Sequence, residues 1–259
     1  MKIFRAELHT HTVLSPCASI EMIPPLIISE AESKHIDVLA ITDHNSIANV
    51  QAVMDAALGT EITIIPGIEL QTREEIHSIC LFDTLQQAQS FYDHIAPTFP
   101  DIQNNSDFFG EQFIVDKTGD FIRREERLLI SSANLTLSEA FREVRRAEGL
   151  LIPAHVNRSA YGLFPTLGFV PDDIELEILE ISKQLDPLVA FQQFPQLSGY
   201  QIIQNGDAHF LNEILGFNEF YIEKVSIGEI MQAVKSQNGR KYTNLFHTIM
   251  KSDSSPFIK

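Results

Sequence analysis

His9 and His11 stand two residues apart at the end of the first apolar segment, in the string LHTHTVLSPCAS, and Cys17 follows six residues after the second. On a strand, residues i and i+2 point to the same side, so both imidazoles face one way. The spacing recurs in Asp207-Ala208-His209. Other candidates stand at or in apolar runs: Asp43-His44 ends DVLAITDHN, Glu69 lies in ITIIPGIELQT, His77 in EEIHSICLF, and His155 ends LLIPAH. Imidazole and carboxylate are the usual ligands of zinc, manganese, iron and cobalt. A single histidine near a strand end is more often a hydrogen-bonded core or surface residue. Six of the nine histidines share that placement, however, which favours a metal site. His35, His94 and His247 fall in helical or tail segments and read as surface residues.

Such residues act together only if the fold gathers them. KIFRAELHTH alternates, with Phe4, Ala6 and Leu8 on one face and Glu7, His9 and His11 on the other. Strand-like segments then alternate with helical ones such as SIANVQAVMDAAL, LQQAQSFYDHI and DPLVAFQQF. QFIVDKTGDFIRREE reads as an inserted β-hairpin turning at Lys117–Asp120. Thr136 with Glu139, and Ser226 with Glu229, open helices. Alternating βα units imply a mainly parallel sheet with helices outside. In a parallel α/β barrel the C-terminal strand ends converge on one face, where the scattered His, Asp and Glu residues would meet. Residues 1–243 are expected to form one barrel domain and residues 244–259 a tail that frays.

With 44% hydrophobic residues, the 259-residue chain has the composition of a globular protein. Met1-Lys2-Ile3-Phe4-Arg5 leads straight into a strand-like segment rather than a signal peptide. No apolar run reaches the ~18 residues of a membrane span. Two cysteines, Cys17 and Cys80, suit a reducing cytoplasm. Cys80 has the opposite parity to His77 and is expected in the core. A formal charge of −16 leads to the expectation that long nucleic acid is not a partner, while a small phosphorylated substrate remains possible near a metal. No membrane partner is expected, and oligomeric state is left open.

In order, ELHTHTVLSP, AITDHNS, PGIELQTREEIHSICLF, PAHVNRSAYG and NGDAHF resemble the PHP family, named for polymerase and histidinol phosphatase. The resemblance runs from Leu8 to Phe210. It implies a distorted (β/α)7 barrel of the PHP type, here with the small inserted β-hairpin, and two or three divalent ions of zinc, manganese or iron. It implies that His9, His11, Glu69 and Asp207 hold one metal and that Glu69 shares a second with His77 and His155. His44 and His209 would hold a third, with Cys17 where relatives often place histidine or aspartate. Glu7 stands where the family often has aspartate and would act behind the ligands. Asp43 would orient a neighbouring ligand.

The activity implied is a metal-dependent phosphoesterase in which a metal-bound hydroxide attacks phosphorus. The substrate expected is a small phosphomonoester, histidinol phosphate-like or nucleotide-like. Arg158, three residues after His155, offers a planar fork for phosphate oxygens. His209 is a candidate donor of the proton to the leaving alkoxide, alongside a metal-bound water. Phe108 and Phe109 are candidates for one side of the mouth, with packing of the insert as the plainer explanation. Two alternatives stand beside this reading: a C–N hydrolase of amidohydrolase type, and a non-catalytic metal-binding module.

Overall fold

The computed structural model describes residues 1–253. Its first half runs β1 (Lys2–Thr10), α1 (Pro24–Ser33), β2 (Val38–Ile41), α2 (Val50–Ala56), β3 (Thr63–Gln71), β4 (His77–Leu81), α3 (Leu85–Ile95), α4 (Ser106–Phe109), β5 (Phe113–Val115) and β6 (Phe121–Arg124). The second half runs α5 (Leu137–Arg146), β7 (Leu150–Pro153), α6 (Leu163–Leu167), β8 (Ile178–Ile181), α7 (Pro187–Gln193), β9 (Gln201–Gln204), β10 (Asn218–Ile222), α8 (Ile227–Val234), β11 (Lys241–Asn244) and α9 (Phe246–Asp253). The expected capping box is present: Thr136 Oγ1 accepts from Glu139 N, and the Glu139 carboxylate accepts from Thr136 N. The inserted hairpin is β5 with β6.

Seven strands form one curled sheet in the order β11-β10-β1-β2-β3-β4-β7, and β8 pairs in parallel with β9 as a separate ribbon. The ribbon closes the open side. Val156 N donates to Glu180 O at 2.8 Å, and Thr10 bridges to Ala208. The central strands β2, β4, β7 and β8, and most of β3, therefore bury both faces. One apolar layer, including Leu39, Ile41, Ile68, Leu70 and Cys80, packs against α1, α2, α3 and α5. The other, including Leu8, Ala40, Ile79, Ile152, Ile178 and Ile203, is enclosed by the curl and by α8. Cys80 is fully buried, as its parity required.

The sheet is less parallel than the βα alternation implied. β1, β2 and β3 are parallel, but β4 runs antiparallel to both β3 and β7, and β10 and β11 are antiparallel additions at the edge. The reason is chain length. Residues 72–76 are too few for a crossover, so β4 must reverse. Its first residue, His77, thus lies opposite Gln71, the last of β3. A reversed strand presents its beginning where its neighbours present their ends. Of the tail expected from residue 244, Asn244 closes β11, residues 246–253 form α9, and residues 254–259 lie outside the described residues. Among the described residues no helix is long and apolar enough to cross a membrane.

The insert packs on the loop that carries Cys17. A Cβ at Gly110, where φ is +101°, would lie 2.2 Å from Pro16 O, so only glycine allows that approach. Asn49 ties the hairpin to the barrel, donating to Phe113 O at 3.0 Å and accepting from Val115 N at 3.0 Å.

Candidate metal centre

Glu69, near the end of β3, is the hub. Its Oε1 lies 3.2 Å from His9 Nε2, 2.9 Å from His77 Nδ1 and 3.2 Å from His155 Nε2. Its Oε2 lies 2.9 Å from His44 Nδ1 and 3.4 Å from His11 Nε2. Asp207 Oδ1 is 3.4 Å from each of His9 Nε2, His11 Nε2 and His209 Nδ1. Three groups bring their ligand atoms within 4.8 Å of one another: His9, His11, Glu69 and Asp207; His44, Glu69 and His77; and His11, His44 and His209. The first is the expected set. The second has His44 where His155 was expected, though His155 reaches the same carboxylate. The third has gained His11 and lacks Cys17, which lines the cavity next to His44 and His209.

The donor set fits divalent cations. Buried polar atoms are normally paired. Yet His44 Nδ1, Glu69 Oε2, His155 Nδ1 and Asp207 Oδ1 are buried here without a hydrogen-bond partner. Three of these, His44 Nδ1, Glu69 Oε2 and Asp207 Oδ1, belong to the ligand groups and are what a bound metal would satisfy, whereas His155 turns its Nε2 to Glu69.

A second layer of residues aims these ligands. Glu180 of β8 takes His9 Nδ1 at 3.2 Å from both oxygens, leaving Nε2 to face Glu69. It also accepts from His155 N at 2.8 Å and Asn205 Nδ2 at 2.7 Å. Metal-ligating histidines are commonly held by such carboxylates. Ser15 does the same for His11, meeting its Nδ1 at 2.9 Å while donating to Asp43 Oδ1 at 2.7 Å. Asp43 accepts further from Thr12 N and Thr12 Oγ1, both at 2.7 Å. Asp43 is fully buried and is absent from the cavity wall, so its geometry is that of a positioning residue. Glu7 accepts from the backbone N–H groups of Gly206, Leu215 and Gly216 and so anchors the loop carrying Asp207 and His209.

Burial and neighbouring charge divide the titrating groups. Burial works against ionising Glu69, but His77, His9 and His44 outweigh it and hold its carboxyl well below the usual range. Asp207 is likewise held low against burial, chiefly by the His9 charge and by the His11 imidazole beside it. Burial pulls His11 well down, reinforced by the charges of His209 and His44. Burial also lowers His77, to about 4. Burial raises the Cys17 thiol, yet the His44 charge and a hydrogen bond from His209 bring it down to about 6. The centre therefore keeps two carboxylates ionised and His11 and His77 neutral. Burial lowers His9 and His44 too, but Glu180 with Glu69 raises His9, and Glu69 with Cys17 raises His44, well above the usual imidazole value, so metal binding there would release protons.

Left-handed backbone recurs here, as it does at five other non-glycine positions among the described residues. Asn45, His155, Tyr161 and Asp207 have φ between +31° and +61°. Left-handed backbone is uncommon outside glycine and collects at functional sites.

Above the cluster lies a cavity of about 520 Å³ whose wall includes His44, Glu69, His77, His155, Asp207 and His209. Cys17, Arg158, Tyr161, Lys183 and Phe210 also line it. Arg158 Nη1 donates to Asp207 Oδ2 at 2.8 Å and its side chain is 43% exposed. Phe108 and Phe109 do not line the cavity; they pack edge to face with ring centroids 4.7 Å apart. Their candidacy for the mouth is withdrawn. His35 and His94 are exposed, and His247 pairs with Asp186. Sequence reasoning missed Glu180, although a carboxylate inside the apolar run ILEI was a usable signal. It also missed Tyr161, whose neighbours in NRSAYG look like loop.

The family model of the PHP domain matches residues 7–138, just over half of the chain. The chain belongs to the PHP-domain family. Its cluster of histidines and carboxylates could hold divalent ions. No curated protein matches it. Among solved structures, the lesion-specific endonuclease of Pyrococcus furiosus aligns with a TM-score of 0.72 at 21% identity, covering 93% of this chain and 57% of that one. Endonuclease Q in complex with a 27-mer duplex bearing an abasic lesion aligns at 0.70 and 20% identity, covering 92% and 58%. A Bifidobacterium adolescentis protein described as a metal-dependent phosphoesterase aligns at 0.53 and 15% identity, covering 79% and 87%. These likenesses establish the PHP fold. The chain spans less than three-fifths of the two endonuclease chains.

One expectation is corrected. The charge of −16 was read as excluding long nucleic acid, but a chain of this fold holds a DNA duplex at its active site. Net charge describes the distant field. At the site itself, metals and nearby cations set the potential.

Proposed function

We propose that this PHP-domain protein hydrolyses phosphoric esters at a centre of two or three divalent ions. The observation that carries the reading is the shared Glu69 carboxylate, ringed by five imidazoles and opening onto a cavity lined by Arg158. His9, His11, Glu69 and Asp207 would hold one ion; Glu69 and His77, with His155 or His44, a second; His44 and His209, with His11 or Cys17, a third. Zinc, manganese and iron all suit this donor set. Bound there, such ions supply water activation and neutralise charge on the phosphoryl oxygens.

The chain's own residues do the rest. Arg158 leaves Asp207 to take two phosphate oxygens with its fork. In a two-ion centre, where it is not a ligand, His209 on the cavity wall would give a proton to the leaving alkoxide. Asp43 and Glu180 hold His11 and His9 in the tautomers that leave Nε2 toward the centre. A carbamylated-lysine bridge of amidohydrolase type is disfavoured, because Lys183, the lysine on the cavity wall, pairs with Glu213 at 2.7 Å, whereas Glu69 stands among the imidazoles where a bridging carboxylate would be needed. Two unpaired cysteines fit a reducing cytoplasm.

The cavity's size favours a small phosphomonoester, such as histidinol phosphate or a nucleotide. A phosphodiester in DNA is the second reading, favoured by the fold shared with Endonuclease Q. The test is phosphate release from a panel of monoesters and nicking of an abasic duplex, using protein loaded with manganese or zinc. His155→Ala is the control. Turnover that the control loses supports the reading. Inactivity of fully metal-loaded protein on every ester refutes it.

A further inference from the structure

Two loops at the rim share one design. The loop after β7 carries His155, then Arg158 three residues on, then Tyr161 three further. The loop after β9 carries Asp207 and His209, then Phe210 directly. Each loop therefore delivers a metal-centre residue and an aromatic ring to the same cavity. Neither ring is buried: Tyr161 is 38% exposed and Phe210 51%.

The Tyr161 ring is held flat. It stacks on His77 with centroids 4.3 Å apart and an interplanar angle of 9°. Its backbone sits at φ +61°, a conformation a bulky side chain seldom adopts, and its carbonyl accepts His77 N–H at 3.0 Å. The loop is too tight to relax, since a Cβ on Gly162 would meet Arg158 O at 2.2 Å. Strain kept in place to hold an aromatic ring beside the reaction centre calls for a function. The cavity, at about 520 Å³, also holds far more than a phosphate group.

We propose that Tyr161 and Phe210 form a stacking wall for a nucleobase, so that the ester hydrolysed is a nucleotide unit. The inference rests on the phosphoesterase reading above. Its chemistry is that of base–aromatic stacking, in which every base offers a π-face while a sugar phosphate offers none. Arg158, between the centre and Tyr161 in the loop, takes the phosphate while the rings take the base. A mononucleotide and a nucleotide within a strand present the same chemistry.

The test compares esters with and without a base. Adenosine 5′-monophosphate is paired with ribose 5-phosphate, and a single-stranded oligonucleotide with the same strand carrying one abasic residue. The wild type, Tyr161→Asn and Phe210→Leu are assayed at matched, measured metal content. Asparagine tolerates the left-handed backbone, and Phe210→Leu keeps an apolar side chain at the rim. The expected result is a preference for the base-bearing ester in kcat/KM that falls between about fivefold and 150-fold in each variant, the span set by stacking of one base. The fall should appear mainly in KM. A loss confined to the mononucleotide pair, or to the oligonucleotide pair, names the source of the base. Equal turnover of base-bearing and base-free esters by the wild type, or a preference untouched in both variants, overturns the stacking wall and leaves the phosphoesterase standing. No turnover of any ester removes both.

Discussion

Replacing Glu180 by glutamine tests whether His9 is a metal ligand. The carboxylate serves three donors: His9 Nδ1 at 3.2 Å, His155 N at 2.8 Å and Asn205 Nδ2 at 2.7 Å. Glutamine keeps one acceptor oxygen and sets an NH₂ where the other stood. If the oxygen stays with Asn205, the NH₂ faces His155 N–H, and a buried unpaired donor costs about 1–3 kcal/mol of stability. The amide can also donate to His9 Nδ1, which moves the imidazole proton to Nε2 and blocks the atom aimed at Glu69. Loss of such a support lowers metal affinity by roughly 10–100-fold, or about 1.4–2.7 kcal/mol. The assay is zinc competition against a chromophoric chelator, with circular dichroism to confirm the fold. In a His9→Ala background most of the Glu180→Gln effect on affinity should vanish, because the two residues act through one another. A folded Glu180→Gln protein that binds zinc as the wild type does would refute both the tautomer argument and the place of His9 in the centre.

Three further outcomes follow from the same geometry. Glu69→Ala should lower metal stoichiometry by more than one ion, since five imidazoles share that carboxylate; elemental analysis after desalting reads this directly. Cobalt-loaded protein should show a thiolate-to-cobalt charge-transfer band that Cys17→Ser lacks, and a band retained in the variant would remove Cys17 from the ligands. Metal-free protein should lose stability from about pH 4.5 to 7 through Glu7. Burial raises this carboxyl to about 7, against backbone donors at Gly206, Gly216 and Leu215 and with help from the Glu180 charge. A raised folded-state value means the contribution is whole below 4.5 and gone above about 7, some 3 kcal/mol in all. Urea midpoints at pH 5 and 7.5 should differ more in the wild type than in Glu7→Gln.

The candidate ligands were legible because strand periodicity and residue chemistry are local properties. His9 and His11 needed only an extended backbone to face the same way, and every ligand named from the sequence lies in or beside the cluster. What was not legible depended on partners far along the chain. Glu180 looked like one polar residue in an apolar strand until β8 closed the barrel beside His9. The reversal of β4 was written in the shortness of residues 72–76, yet the apolar pattern of His77–Leu81 is the same in either direction. β11 was hidden because KYTN pairs with β10 without an apolar pattern of its own. The global charge misled because it averages over a surface that the substrate does not visit.

On the proposed reading, the loop from His155 to Gly162 joins metal, phosphate and ring contacts on one short, inextensible segment. An ion that fixed His155 would then also fix Arg158 and Tyr161, and occupancy of the two kinds of site would be thermodynamically linked. Linkage runs both ways. Whatever factor the ion adds to the affinity for an ester, the ester returns to the affinity for the ion, so the centre holds its metal most tightly when there is work for it to do.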